Sequence, residues 1–186
     1  MFELIDRMIG KNSFKTGGNV MAFDGFIKIK DIDGESSDEE HEGWIEMLSF
    51  DHGVTQKVSS TASSSGGATA ERADFREFAF RKQLDIASPA LALACADGTH
   101  IDEIIIELCR AGTDKVKFME YKLENCMVSG VKVAGGSGKN KNELPTENVF
   151  ISYGKIAWSY AKQDRAGGKI AGNMATGWDL QKNSKR

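Results

Sequence analysis

The stretch Phe23-Asp24-Gly25-Phe26-Ile27-Lys28-Ile29-Lys30 decides how the rest of the chain reads. Ile27 and Ile29 point one way and Lys28 and Lys30 the other, the period-two pattern of a half-buried strand. Asp33-Gly34 then marks a turn. The loop after it is acidic, with Glu35, Asp38, Glu39, Glu40 and Glu42 around His41, and reads as a solvated, solubilising loop. Trp44 to Gln56 is expected to form a second strand. Trp44, Glu46, Leu48 and Phe50 would share one face, and Ile45, Met47, Ser49 and Asp51 the other.

Further strands follow. Asp74–Leu84 carries Phe78 and Phe80 on one face, and Ile101–Cys109 is rich in branched residues, as a buried strand should be. Ala111-Gly112-Thr113-Asp114 turns the chain into Val116–Leu123, a hairpin. Cys126–Val133 reads as a separate strand. Asn148–Tyr160 is the last long one, with Phe150, Ile156, Trp158 and Tyr160 in phase. The tail from Ala161 is polar until Gly177-Trp178-Asp179-Leu180. One helix is expected: Ser88 as N-cap, Pro89 at its first position, an Ala/Leu run, and Gly98 as the stop. Several short strands with one short helix define a mainly β chain, a β-barrel or two packed sheets.

Two segments stand apart. Ser59 to Ala70 is small, polar and low in complexity, and buries too little apolar surface to order itself alone. Residues 1–20 carry Glu3, Asp6 and Arg7 where an export signal would have its apolar stretch. Gly17-Gly18 is compatible with a ribosome-binding sequence ahead of Met21, so the segment reads as a leader upstream of a misassigned start. Phe2, Ile5 and Ile9, at near-helical spacing, support the other reading, an amphipathic appendage. The domain proper is residues 21–186.

Composition excludes several classes. The 186 residues are 40% hydrophobic and 27% charged, which excludes wholesale disorder. With 24 Lys plus Arg against 27 Asp plus Glu, the net charge is −3, and no cationic surplus exists to displace counterions from nucleic acid. No apolar run approaches the roughly 18 residues of a membrane helix, so no membrane insertion is expected. Cys95, Cys109 and Cys126 are odd in number, far apart and in apolar sequence, which argues for core residues over a zinc site or disulfides.

Catalytic motifs fail one by one. Gly138-Lys139 lacks the upstream glycine and downstream Ser or Thr of a P-loop, and Asp31-Ile32-Asp33-Gly34 has its glycine too early for a calcium loop. No GxSxG elbow is present. His41, His52 and His100 have no metal-ligand spacing, and Asp51-His52, adjacent on a strand, point to opposite faces. No catalytic group, metal or cofactor is expected.

Ordered blocks then carry a resemblance. Met21-Ala22-Phe23-Asp24, Phe26-Ile27-Lys28-Ile29, Asp33-Gly34-Glu35-Ser36, His41 and Ile45-Glu46-Met47-Leu48-Ser49-Phe50 come first. Phe80-Arg81-Lys82, Ser88-Pro89, Ala94-Cys95-Ala96-Asp97-Gly98, Thr146-Glu147-Asn148-Val149 and Gly177-Trp178-Asp179-Leu180 follow in order. Over residues 21–186 the chain resembles the haemolysin-coregulated proteins, the tube-forming Hcp family of bacterial type VI secretion. The resemblance does not reach residues 1–20.

It implies a compact β-barrel flanked by a helix, a homohexameric ring, and rings stacked into a hollow tube like that of contractile phage tails. The partners would be a spike protein at the tip, a contractile sheath, and small effectors carried in the lumen. The chain would reside in the bacterial cytoplasm and be expelled without a cleaved signal peptide. By the same resemblance, Ser59–Ala70 is the extended loop that reaches another subunit, through Ser59, Ser60, Thr61, Ser63, Ser64, Ser65, Gly66, Gly67 and Thr69. Asp51 would face the lumen, and a ring of its carboxylates would favour neutral or basic effectors over acidic ones. Two other classes remain at this stage: a monomeric small-ligand β-barrel, which needs a continuous apolar cavity, and a phage-type tail tube.

Overall fold

The alternation at Phe23–Lys30 is realised in a computed structural model as strand β1 (Phe23–Ile29), with Ile27 and Ile29 buried and Lys28 exposed. The structure describes residues 23–57, 72–112, 115–136, 144–163 and 170–186. The expectations for residues 1–20, for Met21, for the loop Ser59–Ala70 and for Gly138-Lys139 lie outside these.

Among the described residues ten further strands and one helix follow in order. They are β2 (Ile45–Met47), β3 (Ser49–Asp51), β4 (Val54–Thr55), β5 (Asp74–Phe75), β6 (Phe78–Gln83), α1 (Ala87–Asp97), β7 (His100–Arg110), β8 (Lys117–Ala134), β9 (Thr146–Gln163), β10 (Ile170–Asp179) and β11 (Ser184–Lys185). The chain is mainly β, as expected, but its sheets are unequal. One sheet has nine strands, ordered β11-β10-β9-β8-β7-β1-β2, with β6 joined to the first half of β9 and β3 joined to β6. The second is the two-stranded ribbon β4-β5.

The large sheet curls until its two wings meet one segment. β2 pairs β1 at Ile45↔Ile27, and β3, beyond Leu48, pairs β6 at Ser49↔Arg81. Across the gap the Leu48 amide donates to the Arg81 carbonyl at 2.8 Å. The single strand expected over Trp44–Gln56 is therefore three short ones, and its faces change at Leu48. Ile45 and Met47 are buried, Leu48 is 54% exposed, and it is Phe50, not Asp51, that next turns to the core. A strand broken at this point can serve two neighbours that curve apart.

The interior is filled with side chains. Ile27, Ile45, Phe78, Ile104, Ile106, Leu123, Val149, Ile151 and Ile156 are all fully buried, and each large apolar side chain so buried contributes roughly 1.5–3 kcal/mol. Helix α1 closes one side of this core with Ala87, Leu91 and Ala94. Gly98 ends it in the left-handed region (φ 69°), as expected, with its N–H bonded to the Ala94 carbonyl. The helix start is corrected: Ile86 occupies the N-cap without a side-chain bond. The first free amides are met from outside, Ala87 N–H donating to Asp85 Oδ1 (2.8 Å) and Ile86 N–H to Glu35 Oε1 (3.0 Å).

β8 is one strand of 18 residues where two shorter ones were expected. Its burial phase changes midway: Leu123 is buried, and so is Cys126. β7 changes at the same level, between Ile101 and Ile104, and β9 changes between Tyr153 and Ile156. The pairings Ile101↔Cys126↔Tyr153 and Glu103↔Glu124↔Lys155 bracket the switch, so Asp102, Asn125 and Gly154 share one level across three strands. Asn125 supplies the turn of phase with φ 56°, a conformation Asn tolerates. Gly154 leaves room for it, since a Cβ there would lie 3.1 Å from Asn125 Cβ. Phe150 consequently does not share a face with Ile156. It is Val149, Ile151 and Tyr153 that join Ile156 in the core. The polar tail was missed as structure: it returns as β10, antiparallel to β9 from Asp179↔Lys155 onward.

Gly34 has no freedom to become larger. A Cβ at Gly34 would meet the backbone of Trp44 and lie 2.6 Å from Ile45 Cα, and backbone atoms cannot swing aside. Gly34→Ala is expected to lower unfolding stability by roughly 2–4 kcal/mol. A shifted urea midpoint at unchanged slope would report it, and a midpoint equal to that of the parent chain would refute it.

Candidate assembly surface

Asp51 ends β3 exposed to solvent and opposes Ala79 of β6. His52, next to it, turns the other way. Its Nε2 lies 2.8 Å from the Tyr153 hydroxyl, which donates to the Arg76 carbonyl at 3.0 Å. The hydroxyl's one proton is thereby spent, so His52 Nε2–H is the donor in the first bond. Burial pushes the imidazole pKa below its ordinary value and the phenol's above it. Asp51 and His52 are thus not brought together; His52 ties three segments of chain to one another.

The acidic loop is less solvated than expected. Glu39, Glu40 and Glu42 are exposed, but Ser36 and His41 are buried, and the Asp38 side chain nearly so. The His41 ring stacks on Phe26 at 4.0 Å and meets Trp44 edge-on at 4.9 Å. This makes a second apolar layer on the outer face of β1 and β7, where Cys109 is also buried. His41 Nδ1 lies 2.7 Å from Asp38 Oδ1 and Nε2 lies 3.0 Å from Glu107 Oε2. Ionised carboxylates only accept, so both ring nitrogens donate. Lys115 pairs with Asp38, and Lys117 bridges Glu107 (2.8 Å) and Glu120 (2.6 Å). Hydrogen bonds from Lys115 and then His41 hold Asp38 down to about 2. Burial pushes Glu107 upward, but the bonds from Lys117 and His41 outweigh it and leave it lowered.

His41, Glu107 and Cys109 place donor atoms within 4.8 Å of one another. His41 and Glu107 are already bonded to each other and Lys117 completes Glu107, so the group is closed by its own ion pairs. Burial pushes the Cys109 and Cys126 thiols up to about 11 and about 12. Cys95 is half-buried and all three cysteines are free.

A second charged group was not legible beforehand. Lys82 is fully buried, with Nζ 2.5 Å from Asp85 Oδ1, 2.9 Å from Glu147 Oε1 and 3.2 Å from Ser88 Oγ. Ser88, expected as a helix cap, instead donates to Glu147 Oε1 at 2.8 Å and accepts from the Asp85 amide. Lys82 shares its strand face with Phe78 and Phe80, which is the signal that could have placed it inside. Three separated sequence blocks, at Lys82, Ser88 and Glu147, meet in this one cluster.

Large apolar side chains also stand exposed on the outside: Met174 (74%), Val133 (60%) and Tyr160 (50%). Met174 and Tyr160 are paired neighbours on β10 and β9, whereas Val133 lies on β8 opposite Glu147 at the other end of β9. No helix among the described residues is long and apolar enough to cross a membrane.

Comparison with known proteins supplies the class of protein. The sequence model of the family described as "Type VI secretion system effector, Hcp" matches residues 26–160. "Protein hcp1" of Pseudomonas aeruginosa is 31% identical over 164 residues, covering 88% of this chain and 98% of that protein. A solved type six secretion system protein is similar with a TM-score of 0.81 at 32% identity, over 89% of this chain and all of that one. Hcp1 from Salmonella typhimurium is similar with a TM-score of 0.71 at 28% identity, again over 89% of this chain and 100% of its own. The chain is a protein of type VI secretion. It belongs to the Hcp family.

The loop anchored by Asp38 sets an acid limit on stability. A carboxyl depressed on folding adds stability above its ordinary value of 3.8, and that share is lost as pH falls through the folded value near 2. Asp38→Asn is therefore expected to be less stable than the parent at neutral pH, with the gap closing as pH falls from 3.8 towards about 2. Urea midpoints across that range test it; a gap that stays constant would assign the loss to something other than the charge.

Proposed function

We propose that this chain is the structural subunit of a type VI secretion tube: hexameric rings that stack into a hollow conduit and do no chemistry of their own. A contractile sheath would expel the tube behind a spike protein, and small effectors would travel in its lumen. The observation that carries this reading is the likeness to Hcp proteins over nearly the whole chain, including all of a solved type VI secretion chain. The exposed Met174, Val133 and Tyr160 give neighbouring copies apolar surface to cover. The small-ligand barrel finds little support, because Phe78, Ile27, Ile104 and Ile151 fill the space a ligand would need.

Residues 21–186 are proposed to suffice for assembly, since the family pattern begins at Met21. Size exclusion with light scattering should give the same hexamer mass for the full chain and for residues 21–186, without nucleotide or metal. A monomer mass at micromolar concentration would sink the ring, and loss of the ring on truncation alone would show that residues 1–20 are structural.

Ring stacking is assigned to Ser59–Ala70, whose small polar residues can mould to another subunit. Replacing this loop by a short Gly-Ser linker should keep the hexamer mass and abolish secretion in a type VI-competent strain. Secretion at the parent level would remove the loop from that role.

A further inference from the structure

Register places side chains together that lie far apart in the sequence. Ser49 pairs Arg81, Arg81 pairs Asn148, and Asn148 pairs Lys132. One level on, Asp51 pairs Ala79, Ala79 pairs Phe150, and Phe150 pairs Gly130. Directly opposed residues share a face of the sheet. Phe80 and Val149 turn inward from these strands, so the rows of Arg81 and Asp51 point outward on a single four-stranded surface.

The charges on this surface are not those that Asp51 alone implies. Arg81 is exposed, and its Nε and Nη2 both reach only the neutral Thr146 hydroxyl, at 3.2 and 3.0 Å. Lys132 is exposed, with its ammonium 5.2 Å from the centre of the Phe150 ring. No carboxylate lies within ion-pair distance of either cation among the described residues, and the two stand in one row of the same surface. Asp51 stands one level away, opposite Ala79, and Glu77, exposed just before β6 and two residues from Ala79, lies beyond it at the same edge. The middle of the surface thus holds two uncompensated cations beside an aromatic ring, with carboxylates, Asp51 and Glu77, only towards one edge.

We propose that this face, centred on Arg81, Lys132 and Phe150, docks an acidic segment of a second protein. That the docked protein is a carried effector rests on the tube reading; the charge of the face does not. Each subunit of a ring would present these two cations at the middle of the face, away from the carboxylates at its edge. The conduit then selects acidic cargo, the reverse of the bias expected from Asp51 alone. A duplex or single-stranded nucleic acid is the competing anion, and the chain's net charge of −3 disfavours it.

The test uses the full chain and a short fluorescein-labelled poly-glutamate peptide, followed by fluorescence anisotropy at low salt. Light scattering and a thermal melt are run on the same samples. The parent should bind the peptide, and the affinity should fall with added salt. Lys132→Gln, alone and with Arg81→Gln, should weaken binding, the pair by about tenfold, while Asp51→Asn should tighten it. Lys132→Gln alone decides the matter if the double variant melts early, because Lys132 makes no bond the fold needs. An intact ring that ignores the peptide, or binds it equally in every variant, overturns this inference and leaves the tube reading standing. A monomer that binds the peptide through Arg81 and Lys132 overturns the tube reading and leaves the face. An oligo-dT strand that displaces the peptide and binds more tightly overturns the assignment to an acidic protein segment.

Discussion

Three strands change which face they bury at one shared level, and the rest of the architecture depends on that switch. A strand that alternates without interruption has one inner face from end to end, and 18 residues of it would run straight past any curled core. At Asp102, Asn125 and Gly154 one residue is spent in each strand without disturbing the pairing. The sheet turns a corner there as a unit. Beyond it the upper half of β9 serves β10 and the lower half serves β6, while Leu123, Ile156, Cys126 and Tyr153 all feed a single core. Corners built from such local irregularities are a common way for long antiparallel strands to wrap. The partner of this corner is the break at Leu48, where the two wings are received by different strands.

How much of this was legible follows from how local each signal is. Ile27 and Ile29 alternate with lysines, and Gly98 stops a run of Ala and Leu; these are properties of neighbours, and they were read correctly. In β8 the phase switch reads as the end of one strand and the start of another, because Asn125 is a residue type that usually marks a turn, whereas in β9 the expected strand runs on through Gly154 and hides the switch. The switch becomes visible only when three strands are aligned. β10 was invisible for a simpler reason. Its stretch Gly-Asn-Met-Ala-Thr-Gly has little apolar content, and it is held as a strand by β9 beside it.

Burial of charge was the least legible feature of all. A lysine between Phe80 and Gln83 looks like a solvent residue until Ser88, six positions on, and the distant Glu147 of β9 arrive beside it. Removing one partner from such a buried pair typically costs 3–5 kcal/mol, because the other charge is left without compensation. The same holds in milder form outside the core. There His41 sits between two carboxylates and binds the loop to β7, so that a segment of acidic composition becomes a fitted cover. Family blocks that looked like scattered short motifs are in this sense structural joints, and Asp51, which looked like the functional residue, is one member of a surface that only register reveals.

The cysteines carry a consequence for a chain whose family is secreted. Outside a cell the surroundings are oxidising, and any accessible thiolate there is open to exchange and mispairing. Cys109 lies beneath the His41 loop and Cys126 behind the corner, both with thiols pushed so far up that almost no thiolate exists at neutral pH. Their sulfurs are shielded twice, by protonation and by access. Cys109 and Cys126 can therefore stay free thiols without a reductant, and Cys95, half-buried on α1, is left as the more reachable of the three.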